Sequence, residues 1–497
     1  MKRICRGILL LSSVLLCSAA SGMAAEHIVP VNPVMVLPFI ILLLTIAFAP
    51  FLNKHWWEKN YPYVSVGLGL ITVAYYVLGI SNPSRVLHTG MEYVSFIALI
   101  GSLFVVAGGI HIRMRGKSTT ATNLSLLAIG AVVSNILGTT GASMILIRPF
   151  LRVNKYRIRP YHVVFFIFVV SNMGGSLTPI GDPPLFLGYL KGVPFFWVAE
   201  AVWIPWIVAM VLVLGVFFAI DTLSFRKIRA AARHEAEEAG EEGVVGGLHN
   251  VAFLALILVS VFITNPPLVR ELLMLLAAVG SYFTTAREIH ENNEFTFLPI
   301  KEVAILSLGI LATMVPALDW LELNAAKIGI QSAGQFYWAT GSLSSFLDNA
   351  PTYLNFLSAS FGLFLRPEIV QQVQHLVQTH GTDLNLITGQ YVAEIHNTYN
   401  TLLKFHYDLV ASGSVTWDDI ATAYMIGNHN LYLQAISLGA VFFGAMTYIG
   451  NGPNFMVKSI ADQTGVRSPT FVGYMLRYSI PILLPIFAVV WFFFLRG

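Results

Sequence analysis

Charge is scarce in this chain, and cysteine is almost missing. Of its 497 residues only 11% are Asp, Glu, Lys or Arg, while 56% are hydrophobic. A soluble protein carries about 25% charged residues, so a water-soluble globular chain is excluded. The net charge is only +3, and the basic residues sit in short loops. Nucleic acid is therefore not an expected partner; the lipid bilayer is. The two cysteines, Cys5 and Cys17, both lie in an N-terminal apolar segment. If that segment is removed, the mature chain has no thiol, and disulfides, Cys-ligated metals and thiol catalysis drop out. No H-E-x-x-H, G-x-S-x-G or phosphate-loop pattern occurs, so neither an enzyme reaction nor a bound cofactor is expected.

What is present is a series of long apolar runs. Lys2, Arg3 and Arg6 precede the run from Ile8 to Leu16 and the small residues Ser18 to Ala25. That order predicts a signal peptide at 1–25, cut near Ala20 or Ala25, and placement in a bacterial inner membrane. A bilayer core of roughly 30 Å takes about 20 apolar residues per helix. Spans are expected near 33–51, 62–81, 92–111, 162–189 and 194–220, then near 250–264, 270–286, 299–318, 431–458 and 469–494. Two further apolar segments, 119–150 and 333–364, are interrupted in the middle and read as re-entrant hairpins.

Charge supports that topology. With the mature N-terminus outside, 17 basic residues fall in inside loops and 7 outside, the direction that the positive-inside rule requires. Basic clusters flank 119–150 on both sides, so this segment must return to the side it entered from. The expected fold is an all-α polytopic membrane protein of two inverted repeats. Each repeat has five transmembrane helices and one re-entrant hairpin, with broken helices at the midplane. Residues 26–224 form the first repeat, with its hairpin on the cytoplasmic side. Residues 225–248 form a charged cytoplasmic linker. Residues 249–497 form the second repeat, with a periplasmic-side hairpin and an external loop at 365–428. Five histidines cluster at 375–429, but their spacing matches no metal-ligand pattern.

One pattern, G-x-x-T-x-I-G-x-x-P, occurs once in each half. Gly175, Thr178, Ile180, Gly181 and Pro184 form one copy; Gly444, Thr447, Ile449, Gly450 and Pro453 form the other. Gly and Pro unwind helices, and Thr offers an oxygen, where a membrane span should be Leu, Val and Phe. Paired interruptions at matching positions of two halves point to a secondary transporter's binding site. With the two hairpin tips they make four breaks. The site residues expected from them are Ser134, Asn135, Thr139, Thr140, Asn172, Thr178, Gly181, Asp182, Asp348, Asn349, Thr352, Thr447, Gly450, Asn451 and Asn454. Hard oxygen ligands suit a small cation, and Asn135, Asp348, Asn349, Thr178 and Thr447 are the candidate Na⁺ ligands. An intramembrane acid is functional by default. Asp348, at a hairpin tip, is the first choice. Asp182, before Pro183, reads either as a second acid or as a helix cap. Glu92 and Glu302 each open a third span and read as structural braces.

These segments resemble the ion transporter superfamily, which includes NhaD-type sodium/proton antiporters, citrate and dicarboxylate/sodium symporters, and arsenite carriers. Ser171-Asn172-Met173-Gly174-Gly175 through Asp182-Pro183-Pro184 is similar to the antiporter branch's SN-x-GG…TPIGDPP signature. The resemblance covers about 30–497. It implies an inverted-repeat, citrate transporter-like fold, a homodimer, and elevator-type movement of a transport domain. Carboxylate carriers of the superfamily show Ser-Asn-Thr at both tips. This chain has Ser134-Asn135-Ile136 and Asp348-Asn349-Ala350, which counts against carboxylate transport. No Lys or Arg falls in the four breaks. The expected activity is Na⁺/H⁺ antiport, with Na⁺ and H⁺ competing for one carboxylate; the alternative is Na⁺-coupled citrate or dicarboxylate transport.

Overall fold

The computed structural model describes residues 30–113, 118–226, 244–263, 266–381, 389–466 and 468–496. The expected signal segment at 1–25 lies outside them, as does most of the linker. The described chain is almost wholly helical. Three helices open it: α1 (Leu37–Leu52), α2 (Lys54–Ala74), which ends in a π-helical turn at Tyr75–Gly79, and α3 (Pro83–Gly108). Helix α3 starts nine residues before the expected span because Asn82 caps it and Pro83 takes its first position. Glu92 therefore lies inside α3 and does not open a span, contrary to the sequence reading. The cost of carrying Arg85 in that first stretch is met by an ion pair. Its guanidinium reaches Asp319 at 2.9 Å, and Tyr76 donates to the same carboxylate at 2.6 Å.

Helix α4 (Thr120–Val153) is a hairpin. Asn123 and Asn154, near its two ends, exchange amide hydrogen bonds of 2.8 and 2.7 Å. A straight helix would hold them about 46 Å apart. The reversal falls at Gly138, with φ 72° and ψ 157°, a region open essentially to glycine alone. A Cβ there would also stand 3.2 Å from the Ile180 carbonyl. Gly138→Ala is expected to cost about 1–3 kcal/mol and to displace Thr139; a thermal-unfolding midpoint equal to wild type would refute this.

Next come α5 (Pro160–Val169), a 3₁₀ turn at Met173–Leu177, an extended stretch, α6 (Pro183–Leu190) and α7 (Phe195–Arg226). Strand β1 (His111–Arg113) pairs antiparallel with β2 (Val244–Gly246), pinning the end of the linker to the end of α3. The chain continues through α8 (Asn250–Val261), α9 (Val269–Thr284) and α10 (Leu298–Ile328). Helices α11 (Ala333–Ser344) and α12 (Asn349–Phe364) form the second hairpin. Their Phe336 and Phe356 rings lie 6.1 Å apart. Helices α13 (Pro367–Gln378), α14 (Val392–Phe405) and α15 (Tyr407–Ser412) build the polar segment at 365–428. Helix α16 (Trp417–Phe443), a 3₁₀ turn at Gly444–Met446 and α17 (Gly452–Gln463) repeat the broken-helix design. The last span is α18 (Phe471–Phe494), π-helical at Met475–Leu483.

Eight helices among the described residues are long and apolar enough to cross a membrane. The sequence suggests ten spans. One of the eight, Thr120–Val153, is the α4 hairpin, so seven of the ten expected spans are matched. The other three are α8, with 12 residues, and α9, with 16, both short of the roughly 20 that a crossing takes, and the segment expected at 431–458, which the 3₁₀ turn at Gly444–Met446 interrupts.

The two ends of the bundle can be told apart by their ion pairs. At one end Arg157 meets Asp221, and its Nε donates to the Ser118 carbonyl beside the open end of α4. At the other, Lys191 meets Asp418, and Phe361 of α12 packs on Trp417. Helix α5 leads in from the first end and α6 leads out to the second. Between them lies Asp182.

Candidate functional site

Both copies of the ten-residue pattern fold alike. A 3₁₀ turn carries Gly175 in the first copy and starts at Gly444 in the second. Thr178 and Thr447 follow in extended conformation, with φ/ψ of −136°/152° and −139°/168°. The chain re-enters a helix after Asp182 and after Asn451, each at an N-cap position, each without a side-chain cap bond. Their side chains are free to point at one another. Asn451 Nδ2 donates to Asp182 Oδ1 at 3.0 Å.

Two more donors complete the surroundings of Asp182. Thr139, just past the Gly138 reversal, donates to Oδ1 at 2.9 Å. Asn349, at the start of α12, donates to Oδ2 at 2.7 Å. The two hairpin tips and the two broken helices thus meet on one carboxylate, which is fully buried. All three donors are neutral. Among the described residues no Lys, Arg or His pairs with Asp182. A membrane-buried carboxylate costs about 2.5–3.5 kcal/mol even on insertion scales, and neutral hydrogen bonds offset only part of that. A proton or a small cation would supply the remainder.

An amide network supports this centre. Asn172 donates to Asn454 Oδ1 at 2.6 Å and accepts from Asn451 at 3.2 Å. Asn454 donates to the Gly444 and Thr447 carbonyls at 2.8 and 2.9 Å. Asn349 Oδ1 is buried and has no partner among the described residues. The same amide donates to Asp182 through its Nδ2.

The remaining expected residues lie in the walls. Asn135 donates to the Gly174 carbonyl at 2.7 Å, and its Oδ1 accepts from Leu177 N–H at 2.8 Å. Thr178 donates to the Asn135 carbonyl, and Thr447 to that of Ser345. Ser134 bonds to the Val170 carbonyl at 2.8 Å. The Gly181 carbonyl accepts from Thr139 N–H at 2.7 Å, and Gly450 N–H donates to Thr447 Oγ1. Thr352 bonds back within its own helix to the Asp348 carbonyl. Among the described residues no hydrogen bond joins Asp348 to Asp182, although the two carboxyls are near enough to repel each other. Asp348 is half-buried and accepts from Ala350 N–H at 3.2 Å as the N-cap of α12.

Two cavities lie near the site. One is between α3 and the first tip. Leu99, Leu103, Phe104, Ile180 and Phe186 line it with Thr139 and Thr140, and no basic residue does. The other is a vestibule at the Lys191–Asp418 end of the bundle, holding Arg85, Lys191, Glu322 and Asp418. Lys191 reaches Glu92 at 2.9 Å and Asp418 at 3.2 Å, so both vestibule cations are already paired. The sequence reading missed this vestibule, along with the Arg157–Asp221 pair. One signal for the pair was available: Asp221 is a single acid late in the 32-residue apolar helix α7.

A multi-pass helical membrane protein whose interrupted helices meet at a buried polar centre has the architecture of a secondary transporter. Residues 29–495 match the family model described as "Putative citrate transport", and the chain belongs to that family. This agrees with the resemblance to the citrate transporter-like ion transporter superfamily. No curated protein matches the chain.

Proposed function

We propose that the protein exchanges Na⁺ for H⁺ at Asp182. One observation carries the reading: a fully buried carboxylate that holds three neutral donors and, among the described residues, no basic partner. Such a group binds either a proton or a cation, and competition between them at one acid yields antiport. Asn349 Oδ1 is the second ligand of the cation. The pseudo-equivalent pairs Asp182/Asn451 and Thr139/Asn349 support two inverted repeats, of which only the first carries the acid. The transport domain, with the hairpins and broken helices, would move against α3 and α10 as an elevator within a homodimer in the inner membrane.

The apolar cavity beside the tip argues against a tricarboxylate. Citrate would need cations there, and that cavity has none. Na⁺-coupled citrate transport is the second reading, favoured by the family description. Proton flux in proteoliposomes separates the two. Recovery of an internal pH dye on adding NaCl supports exchange. Silence with NaCl, together with Na⁺-dependent uptake of radiolabelled citrate, replaces it with the carboxylate reading.

The cap geometry of Asp348 yields a companion prediction. Asn caps a helix about as well as Asp, so Asp348→Asn should retain exchange. Asp348→Ala should lose about 0.5–2 kcal/mol of stability with little change in flux at low temperature. Abolished exchange in a folded Asp348→Asn protein would transfer the ion-binding role to Asp348.

A further inference from the structure

Three buried polar atoms near the centre have no partner among the described residues: Asn349 Oδ1, Tyr353 Oη and Ser437 Oγ. Tyr353 and Asn349 are fully buried, and Ser437 is 2% exposed. More than 90% of buried polar groups in folded proteins are hydrogen-bonded, to protein or to ordered water. Tyr353 and Ser437 face each other without closing a hydrogen bond, and Asn349 Oδ1, one turn along the helix from Tyr353, is likewise unmet.

Asn349, Tyr353 and Leu357 follow along α12 at four-residue spacing and share one helix face. Asn349 touches Asp182 at one end. Leu357, with Leu354 next to Tyr353, lines the vestibule at the other. The stretch from 349 to 357 spans about 12 Å, and Tyr353 lies midway. Its ring fits against α6 only because residue 188 is glycine: a Cβ there would stand 2.6 Å from the phenol oxygen. On the far side the hydroxyl faces Ser437 of α16. The vestibule beyond is lined by the charged groups Lys191, Asp418, Glu322 and Arg85.

We infer that Tyr353 and Ser437 hold internal water that relays protons between the Asp182 carboxyl and the vestibule. This rests on the exchange reading above. When the carboxyl O–H breaks, its proton passes to the adjoining water. That water passes one of its protons on through the Tyr353 hydroxyl, which receives one and releases one and ends unchanged. No charge is left on the phenol, and Asp182 is left free to take the cation. Tyr353 touches the transferred proton, while Ser437 positions the water.

Tyr353→Phe keeps the ring and removes the relay oxygen. Two fluxes are to be measured on the same proteoliposomes: Na⁺-driven proton flux with a pH dye, and ²²Na⁺/Na⁺ self-exchange, which moves no proton. Tyr353→Phe should slow the first by about tenfold or more and leave the second at the wild-type rate. Ser437→Ala should do the same to a smaller degree. A variant that slows both fluxes equally overturns the relay in favour of a packing role. Wild-type proton flux in Tyr353→Phe overturns it outright. If the wild-type protein itself shows self-exchange but no Na⁺-driven proton flux, the antiport reading falls, and the relay with it.

Discussion

Asp182→Asn is expected to reduce Na⁺-driven proton flux to the level of protein-free vesicles while the protein still inserts and folds. The substitution is isosteric and removes only the group that can alternate between proton and cation. Its hydrogen bonds are recoverable. Asp182 now accepts from Thr139, Asn349 and Asn451. An Asn there keeps one acceptor oxygen and gains an NH₂ that must donate. Asn349 Oδ1 has no partner, so turning that amide over lets it accept from residue 182. The stability change should stay within about 1 kcal/mol, the net worth of one hydrogen bond, and removing a buried acid can offset it. Asp182→Glu tests geometry separately: the carboxyl survives, but an extra methylene must enter a fully buried centre. It too should lose exchange, at a cost of about 1–3 kcal/mol for overpacking. Robust NaCl-driven flux from Asp182→Asn would remove Asp182 from the mechanism.

The choice between Asp182 and Asp348 shows where the sequence runs out. Both acids sit in a break of an apolar run, and both precede a helix with proline in its first turn. Nothing local distinguishes the one that caps a helix from the one that three side-chain donors converge on. The difference arises in three dimensions, where the Asp182 side chain meets residues 43, 167 and 269 positions away. The breaks themselves were legible, because Gly, Pro and Thr have few other uses in a membrane helix. The hairpin at 119–150 was legible from flanking charge, and the Asn123–Asn154 bonds place its ends together. Helix starts were misplaced where charge hid inside the helix. Arg85 looks like a loop residue until Asp319, 234 positions later, is set against it. Strands β1 and β2 have three residues each, too few for any alternation to be read.

The largest stability effect should come from the opposite end of the bundle, at Arg157. Its guanidinium grips Asp221 with two bonds, 2.7 and 3.0 Å. Tyr161 donates to the same carboxylate at 2.7 Å, and His162 Nε2 lies 3.1 Å away. The side chains of Arg157 and Asp221 are 1% and 0% exposed. Removing one partner of such a pair strands the other charge in a dry interior, at a cost of about 3–5 kcal/mol. Arg157→Met should lower the unfolding midpoint in detergent markedly. Pairing it with Asp221→Leu should recover much of the loss, because replacing a whole buried ion pair with apolar groups is often neutral. Recovery will be incomplete, since Tyr161 and His162 would lose the acceptor they share. An unchanged midpoint in Arg157→Met, or a double variant worse than either single, would contradict this account. The effect should also be confined to folding. Arg157 holds the open end of the α4 hairpin, about 15 residues of helix and hence roughly 22 Å from Thr139 at its tip. Protein that survives Arg157→Met at low temperature should therefore exchange Na⁺ for H⁺ at the wild-type rate. A proportional loss of flux would mean that the open end and the tip of the hairpin move as one lever, and that the ion pair helps to set the position of the tip over Asp182.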